Sequence, residues 1–259
     1  MTEPIELPDG RRLLVVEDGE ALAAAAAERF VATTTAAVAA RGRAIVALSG
    51  GSTPKKMGEL LARPEFAGRV PWGETDLFWG DERWVPLASS ESNAGEARRA
   101  FLDAVPAPPE RIHPVATDLA SPVRAAEAYE AEIRRVAGTA EGIPVFDLVL
   151  LGMGDDGHTA SLFPGTAALH ERDRLVVENF VPKLGVDRIT FTYPLLAAAR
   201  EVLVLVGGAG KADTLARVLE GPTEPEGLPS QSVRVENGTL TWLVDRAAAG
   251  SLRSAGQSG

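Results

Sequence analysis

The chain has 259 residues, 45% of them hydrophobic and 24% charged, which excludes a disordered or collagen-like polymer and leaves apolar material for one sizeable core. Its 36 acidic residues outnumber 26 basic ones, for a formal charge of −10, which argues against the nucleic-acid backbone as a bulk partner. There is no cysteine, so disulfides, thiolate catalysis and thiolate metal sites are ruled out.

In chain order, Met1 to Arg12 mixes Glu, Pro, Asp and Gly rather than a basic region followed by an apolar one, so no signal peptide is expected there. Leu13 to Val16 reads as a strand. Ala21 to Ala40 is alanine-rich with Glu28 and Arg29 inside it, so Glu20 to Arg41 reads as a helix of a soluble, cytoplasmic protein rather than a membrane span. Ala44 to Leu48 predicts a strand, Pro54 to Arg63 a helix, Asp76 to Trp79 a strand and Ala94 to Val105 a helix. Four prolines between Val105 and Pro114 mark a surface connection. Pro122 to Ala137 predicts a helix, Phe146 to Leu151 a strand, Arg188 to Tyr193 an additional strand, Val202 to Val206 a strand and Lys211 to Glu220 a helix. Apolar residues in these strands run on without alternation, which suits strands covered on both faces. The expectation is therefore an α/β fold, a mostly parallel sheet flanked by helices. No repeat or boundary divides the chain, so residues 1–246 read as a single catalytic domain. Ala247 to Gly259 is rich in Ala, Gly and Ser and reads as a fraying tail.

Open sheets of this type bind ligands beyond the carboxyl ends of their strands, and three such loops carry chemistry. The first is Ser49-Gly50-Gly51-Ser52-Thr53-Pro54, entering a helix for which Thr53 suits the N-cap and Pro54 the first position. Glycines that admit close backbone approach, with the unpaired amides of a helix start, make a phosphate cradle. Lys55 and Lys56 sit in a first turn that the helix dipole disfavours for cations unless an anion compensates. The plainer reading is a glycine turn feeding a capped helix with solvated lysines.

The second loop, Trp79 to Pro86, sets Asp81, Glu82 and Arg83 between two tryptophans. Arg83 suits bidentate phosphate binding, and Asp81 or Glu82 suits orienting it or binding sugar hydroxyls; the plainer reading is a surface salt-bridge turn. Asn93 with Glu96 reads as a helix N-cap pair. In the third loop, Gly152, Gly154 and Gly157 satisfy a dinucleotide fingerprint, but Pro164 and Gly165 interrupt the helix that should follow, and Asp155 and Asp156 would repel a pyrophosphate. What this loop offers is His158 two positions after Asp156, an imidazole whose tautomer a carboxylate can fix for general-base work. A structural histidine with a capping aspartate is the alternative. Metal binding by Asp155, Asp156 and His158 has little support in the spacing. His113 and His170 show no comparable setting. Gly207 to Lys211 fails as a Walker A ending because Leu205 and Ala212 replace the required Gly and Ser/Thr, yet Lys211 stands after a strand where it can reach a phosphate.

Together these segments resemble the 6-phosphogluconolactonase family. The resemblance rests on Ser49 to Pro54, Trp72 with Leu77 to Pro86, Ser92-Asn93, Asp147 to Pro164, Arg188 to Lys211, and Leu228-Pro229 with Val233. It implies a single domain of the sugar-phosphate deaminase/ribose-phosphate isomerase type, a modified Rossmann-like fold, without metal or organic cofactor. It also implies hydrolysis of 6-phospho-D-glucono-1,5-lactone in the pentose phosphate pathway. From charge and composition the expectation is a protein that binds neither nucleic acid nor membrane, a monomer or small homo-oligomer. His158 would be the base with Asp156 orienting it. Ser49, Gly50, Gly51, Ser52, Thr53, Arg83 and Lys211 would hold the phosphate, with Asp81 beside them. Glucosamine-6-phosphate deaminases are similar in the cradle and the Asp-Gly-His segment. There a glutamate is expected five positions beyond the histidine, where this chain has Phe163, and a tyrosine where it has Arg83. A non-catalytic sugar-phosphate sensor would keep the cradle but could dispense with the Asp156/His158 pair.

Overall fold

A computed structural model describes residues 4–254. The chain runs β1 (Ile5–Glu6), β2 (Arg12–Val16), α1 (Gly19–Arg41), β3 (Ala44–Leu48), α2 (Ser52–Leu61), α3 (Pro64–Ala67), β4 (Thr75–Trp79), β5 (Asp81–Arg83) and α4 (Asn93–Ala100). It continues through α5 (Pro122–Ala137), β6 (Leu148–Gly152), β7 (Val176–Val181), β8 (Val186–Phe191), α6 (Tyr193–Ala197), β9 (Glu201–Val206), α7 (Ala212–Glu220) and β10 (Thr239–Asp245). The main sheet has the order β1-β2-β10-β9-β6-β3-β4, parallel throughout except for β1. A second, antiparallel sheet of β5, β8 and β7 stands beside its carboxyl end.

The unbroken apolar runs have their explanation in two cores, one on each face of the main sheet. In β4, Leu77 and Trp79 enter one core with Phe30, Val46 and Leu150, while Phe78 enters the other with Phe146, Val149 and Trp242. Successive side chains point to opposite faces and both faces are covered, so no polar alternation remains. Burying one such side chain contributes roughly 1.5–3 kcal/mol, so the central strands are rigid supports for whatever follows their ends.

The helices obey local rules. Asp18 caps α1 by accepting from the Glu20 and Ala21 amides, and Gly42 ends it at φ 74°. Alanines at 23, 26 and 27 let α1 lie close to the sheet. Ser121 caps α5, with Pro122 at its first position and Gly138 ending it at φ 68°.

Several sequence expectations need correction. Helix α2 starts at Ser52 with Gly51 as its cap, so Thr53 is not the N-cap and Pro54 is not the first residue; Gly51, at φ 105°, makes the turn. Helix α4 is capped by the Ser92 hydroxyl, which accepts from the Gly95 amide, rather than by Asn93. It stops at Ala100, where Phe101 breaks the helical path and a short 3₁₀ turn over Leu102–Ala104 follows. The strand expected from Phe146 begins at Leu148, because Asp147 turns its carboxylate back onto the Ile45 amide and Arg41. The strand expected over Arg188 to Tyr193 is Val186–Phe191 in the second sheet, and Tyr193 opens α6. Strand β10 escaped detection because Thr239 and Thr241 interrupt its apolar run. Residues 247–254, at the start of the stretch read as a tail, pack onto the fold: Ala248 and Leu252 are buried, and Glu220 accepts the Arg253 and Ser254 amides. Residues 255–259, like residues 1–3, lie outside the described residues. Among the described residues no helix is long and apolar enough to cross a membrane.

Candidate active site

The carboxyl ends of β3, β4 and β6 open into a cavity of about 400 Å³, and the second sheet supplies its opposite wall. Ser49, Gly50, Gly51, Asp81, Arg83, Asp156, His158 and Lys211 all line it; Ser52 and Thr53 do not. Gly50 is required by proximity, because a methyl group there would lie 1.9 Å from Asn93 Oδ1. The α2 start lacks both a side-chain cap and an acidic first-turn residue, so the Ser52 and Thr53 amides keep their partial positive charge unopposed from within the helix. Lys55 is drawn aside to Glu96 at 3.9 Å.

Beyond β4 the chain crosses at Gly80 into β5, where its three charged residues part company. Glu82 is buried and accepts from the amides of Arg83, Asn93 and Ala94 and from the Ser92 hydroxyl, so it organises the start of α4 rather than binding sugar. Burial pushes its carboxyl above the ordinary range in spite of those amides. Asp81 keeps its place on the cavity: Oδ2 accepts from Ser161 Oγ at 2.7 Å, and Asn93 Nδ2 donates to its carbonyl at 2.9 Å. Arg83 donates to the Glu91 carbonyl while its Nε has no partner.

Directly across the β5/β8 ladder from Arg83 stands Arg188, a cavity residue to which the sequence assigned no role. Its Nε is likewise unpartnered. Burial pulls the guanidinium below its ordinary value, an effect that Asp81 opposes and Arg83 adds to. Two guanidinium groups side by side on the cavity wall are a receptor for an anion, with phosphate and carboxylate the natural bidentate partners.

The third loop is shaped around an imidazole. His158 Nδ1 lies 2.6 Å from Asp156 Oδ1, and the ring stacks on Phe163 with centroids 3.9 Å apart. A methyl group on Gly154 would stand 2.0 Å from that Nδ1, so the glycine is there to admit the ring. Burial would raise the Asp156 carboxyl, but hydrogen bonds from His158 and Lys183 outweigh it and hold it down to about 2. An ionised carboxylate on Nδ1 selects the tautomer that donates there and leaves the lone pair on Nε2, which has no partner among the described residues. The geometry is that of a general base.

Lys211 ends a 3₁₀ turn just before α7 and pairs with Asp155, lowering that carboxyl; Thr214 Oγ1 holds the Asp155 carbonyl at 2.8 Å. Within Gly154 to Gly157, the amides of Gly154 and Gly157 are spent inside the loop, on the carbonyls of His158 and Gly154, and neither is available to an oxyanion. Ala160 is the one described non-glycine residue with positive φ, 47°, a local cost of about 1–2 kcal/mol at the cavity wall. Hydrogen bonds of Thr159 to the Gly152 carbonyl and of the Ser161 amide to Thr190 flank it.

Besides Arg188, the sequence left Lys183, Phe163 and Asn93 without site roles. In the sequence Phe163 stands out only as the absence of a glutamate, and Asn93 reads only as a cap. No local signal marks Lys183, which stands in the β7–β8 turn, and Arg188 reaches the site only through strand pairing. Four cations and three carboxylates line the cavity, so an overall acidic chain presents a locally balanced pocket. Among the described residues no group of three or more His, Asp or Glu side chains is arranged to hold a metal ion.

Comparisons with known proteins identify relatives of the whole chain. A family model described as glucosamine-6-phosphate isomerases/6-phosphogluconolactonase matches residues 17–242. The chain is 44% identical to a 6-phosphogluconolactonase of Synechocystis sp. over 217 residues, covering 83% of this chain and 88% of that one. It is 38% identical to a 6-phosphogluconolactonase of Streptomyces coelicolor over 253 residues, covering 95% and 96%. Among solved structures, the 6-phosphogluconolactonase from Trypanosoma cruzi superimposes with a TM-score of 0.83 at 30% identity, covering 97% of this chain and all of that one.

Proposed function

The chain belongs to the glucosamine-6-phosphate isomerase/6-phosphogluconolactonase family, and from that premise we propose how it hydrolyses 6-phospho-D-glucono-1,5-lactone to 6-phospho-D-gluconate, a step of the pentose phosphate pathway. The phosphate is held by Arg83 and Arg188 with the glycine turn Ser49–Gly51, the first-turn amides of α2 and Lys211. Asp81 accepts from a sugar hydroxyl. A water approaches the lactone carbonyl carbon and gives a proton to His158 Nε2 as its oxygen bonds to that carbon. The carbonyl electron pair moves to oxygen, forming the tetrahedral oxyanion. When that pair returns, the bond from carbon to the ring oxygen breaks, and His158 gives its proton to the leaving oxygen.

The observation that carries this reading is an imidazole with one nitrogen fixed on an ionised carboxylate and the other free, in the same cavity as two arginines paired across one ladder. Aldose–ketose isomerisation is disfavoured by Phe163, whose ring covers the imidazole and has no proton to exchange where a ring-opening acid is expected. The same reading keeps residues 1–246 as one catalytic domain in the cytoplasm, a monomer or small homo-oligomer working without cofactor, nucleic acid or membrane.

The test is to generate the lactone in situ and follow its loss with and without the protein, with glucosamine 6-phosphate assayed for ammonia in parallel. Accelerated lactone loss without ammonia is the expected result. Ammonia release, or binding of 6-phosphogluconate without lactone turnover, would overturn it.

A further inference from the structure

The Asp156/His158 pair receives a third member from outside its own loop. Strands β7 and β8 are joined by a tight turn in which the Leu184 and Gly185 amides return to the Val181 carbonyl at 3.0 and 2.9 Å. At its tip Lys183 extends over the site, and its Nζ lies 3.0 Å from Asp156 Oδ2, the carboxylate oxygen that the imidazole does not use. The two oxygens of one carboxylate are thus held by two side chains from different parts of the fold.

We infer that Lys183 is a positioning residue for the hydrolysis, acting on His158 through Asp156. Oδ1 accepts from Nδ1 and, at 3.3 Å, from the His158 amide, but with Oδ2 unheld the carboxylate could still turn about its last bond and lengthen the contact with Nδ1; an ammonium on Oδ2 opposes that rotation. The lysine also offsets part of the carboxylate charge. A bare carboxylate beside an imidazolium would make it reluctant to return its proton to the leaving ring oxygen, and the neighbouring cation lessens that reluctance. This inference rests on the reading of His158 as the base.

The remaining groups around the pair leave this role to Lys183. Asp155 lies on the same loop but is engaged by Lys211, and Phe163 covers a face of the imidazole. Arg188 lies beyond Phe163, its guanidinium carbon 5.9 Å from that ring's centre. Arg83 and Asp81 line the same cavity and make no hydrogen bond to Asp156 or His158. The phosphate is assigned to Arg83, Arg188 and Lys211, none of which makes a hydrogen bond to Asp156, whereas Lys183 Nζ lies on Asp156 Oδ2.

The experiment compares Lys183→Met and Lys183→Arg with the native enzyme through kcat, KM and the pH profile of kcat/KM, and repeats Lys183→Met in a His158→Ala background. Lys183 is exposed in a turn, so both variants are expected to fold, which a thermal melt verifies. For Lys183→Met, kcat should drop by about three- to tenfold with KM within about twofold. The acid limb of the profile should move to higher pH by about half a unit, because removing the cation favours the protonated pair. Lys183→Arg should restore most of both, and Lys183→Met should cost nothing further once His158 is gone. A raised KM with kcat and the acid limb unchanged would make Lys183 a substrate ligand and overturn the inference, as would no change at all. A further loss in the His158→Ala background would also overturn it. If His158→Ala alone is severely impaired while Lys183→Met is normal, only the lysine's role fails; near-normal turnover in His158→Ala removes the base itself, and the lysine's role with it.

Discussion

The two ends of the main sheet hold similar chemistry in opposite states. At the amino end His113 is buried with Nδ1 2.9 Å from Glu132 and Nε2 3.0 Å from Asp76, while Arg43 and Arg111 both spend a guanidinium nitrogen on Asp76. At the carboxyl end His158 has one nitrogen on Asp156 and the other free; an unpartnered arginine Nε is common to both ends, at Arg43 as at Arg83 and Arg188. Each end joins a histidine, an aspartate and two arginines beside a cavity of about 400 Å³. Residue types therefore do not distinguish a site from a brace. What distinguishes them is the imidazole: the amino end has used both ring nitrogens to join β4, α5 and the segment before α5, whereas the carboxyl end leaves one free. That contrast corrects the expectation that His113 has no carboxylate setting; it has two, supplied from distant parts of the chain.

Variants at the two ends should separate accordingly. His158→Ala is expected to lower kcat by about 10²–10⁴ while the affinity for 6-phosphogluconate, measured by calorimetry, stays near native. If His113→Ala produced a comparable kcat loss, the distinction drawn here would collapse. Arg188→Ala and Arg83→Ala should each raise KM by about ten- to a hundredfold with a smaller change in kcat, since each removes charge-assisted hydrogen bonds to a group remote from the reacting carbon. Steady-state kinetics showing the reverse split would place that arginine at the carbonyl instead. At the other end, Asp76→Asn should leave kcat/KM unchanged and cost about 2 kcal/mol of stability in urea denaturation. That is less than a fully buried pair would cost, because Arg43 and Arg111 are each about a third exposed.

The smallest effect is a pH dependence that both ends share. Burial opposes ionisation of Asp76 and Asp156, yet their cationic and hydrogen-bonding partners win, so each carboxyl lies below the ordinary aspartate value of 3.8, Asp156 at about 2. A depressed carboxyl stabilises the folded state fully above its unfolded value and loses that contribution as pH falls through the folded one. Stability should therefore decline from just below pH 4 towards pH 2, and Asp76→Asn should flatten the slope. An unchanged slope in that variant would mean that Asp76 is not among the groups responsible.

Reading the sequence recovered the central strands and long helices because their causes are local. Capping residues, an alanine-rich face and apolar runs from 44 to 48 and from 202 to 206 act over a few neighbours, and α5 runs from Pro122 to Ala137 as its Ser, Pro and Gly signals require. The Asp156/His158 pair was legible for the same reason, its members being two residues apart on a glycine-rich turn. Strand β10 and the second sheet were less legible, because mixed polarity in β10 and pairing between segments far apart in sequence leave weak local marks.

By itself the sequence determined the α/β layering, the loops that follow the strands and the family resemblance, all of which depend on residue order and near neighbours. Tertiary structure alone decided which charges remain unspent: that Glu82 turns inward to α4, that Arg188 joins Arg83, that Lys183 reaches Asp156, and that His113 is braced while His158 is not. Those outcomes depend on contacts between residues tens of positions apart, and a hydrogen-bonding group has no fixed role until folding settles what it meets.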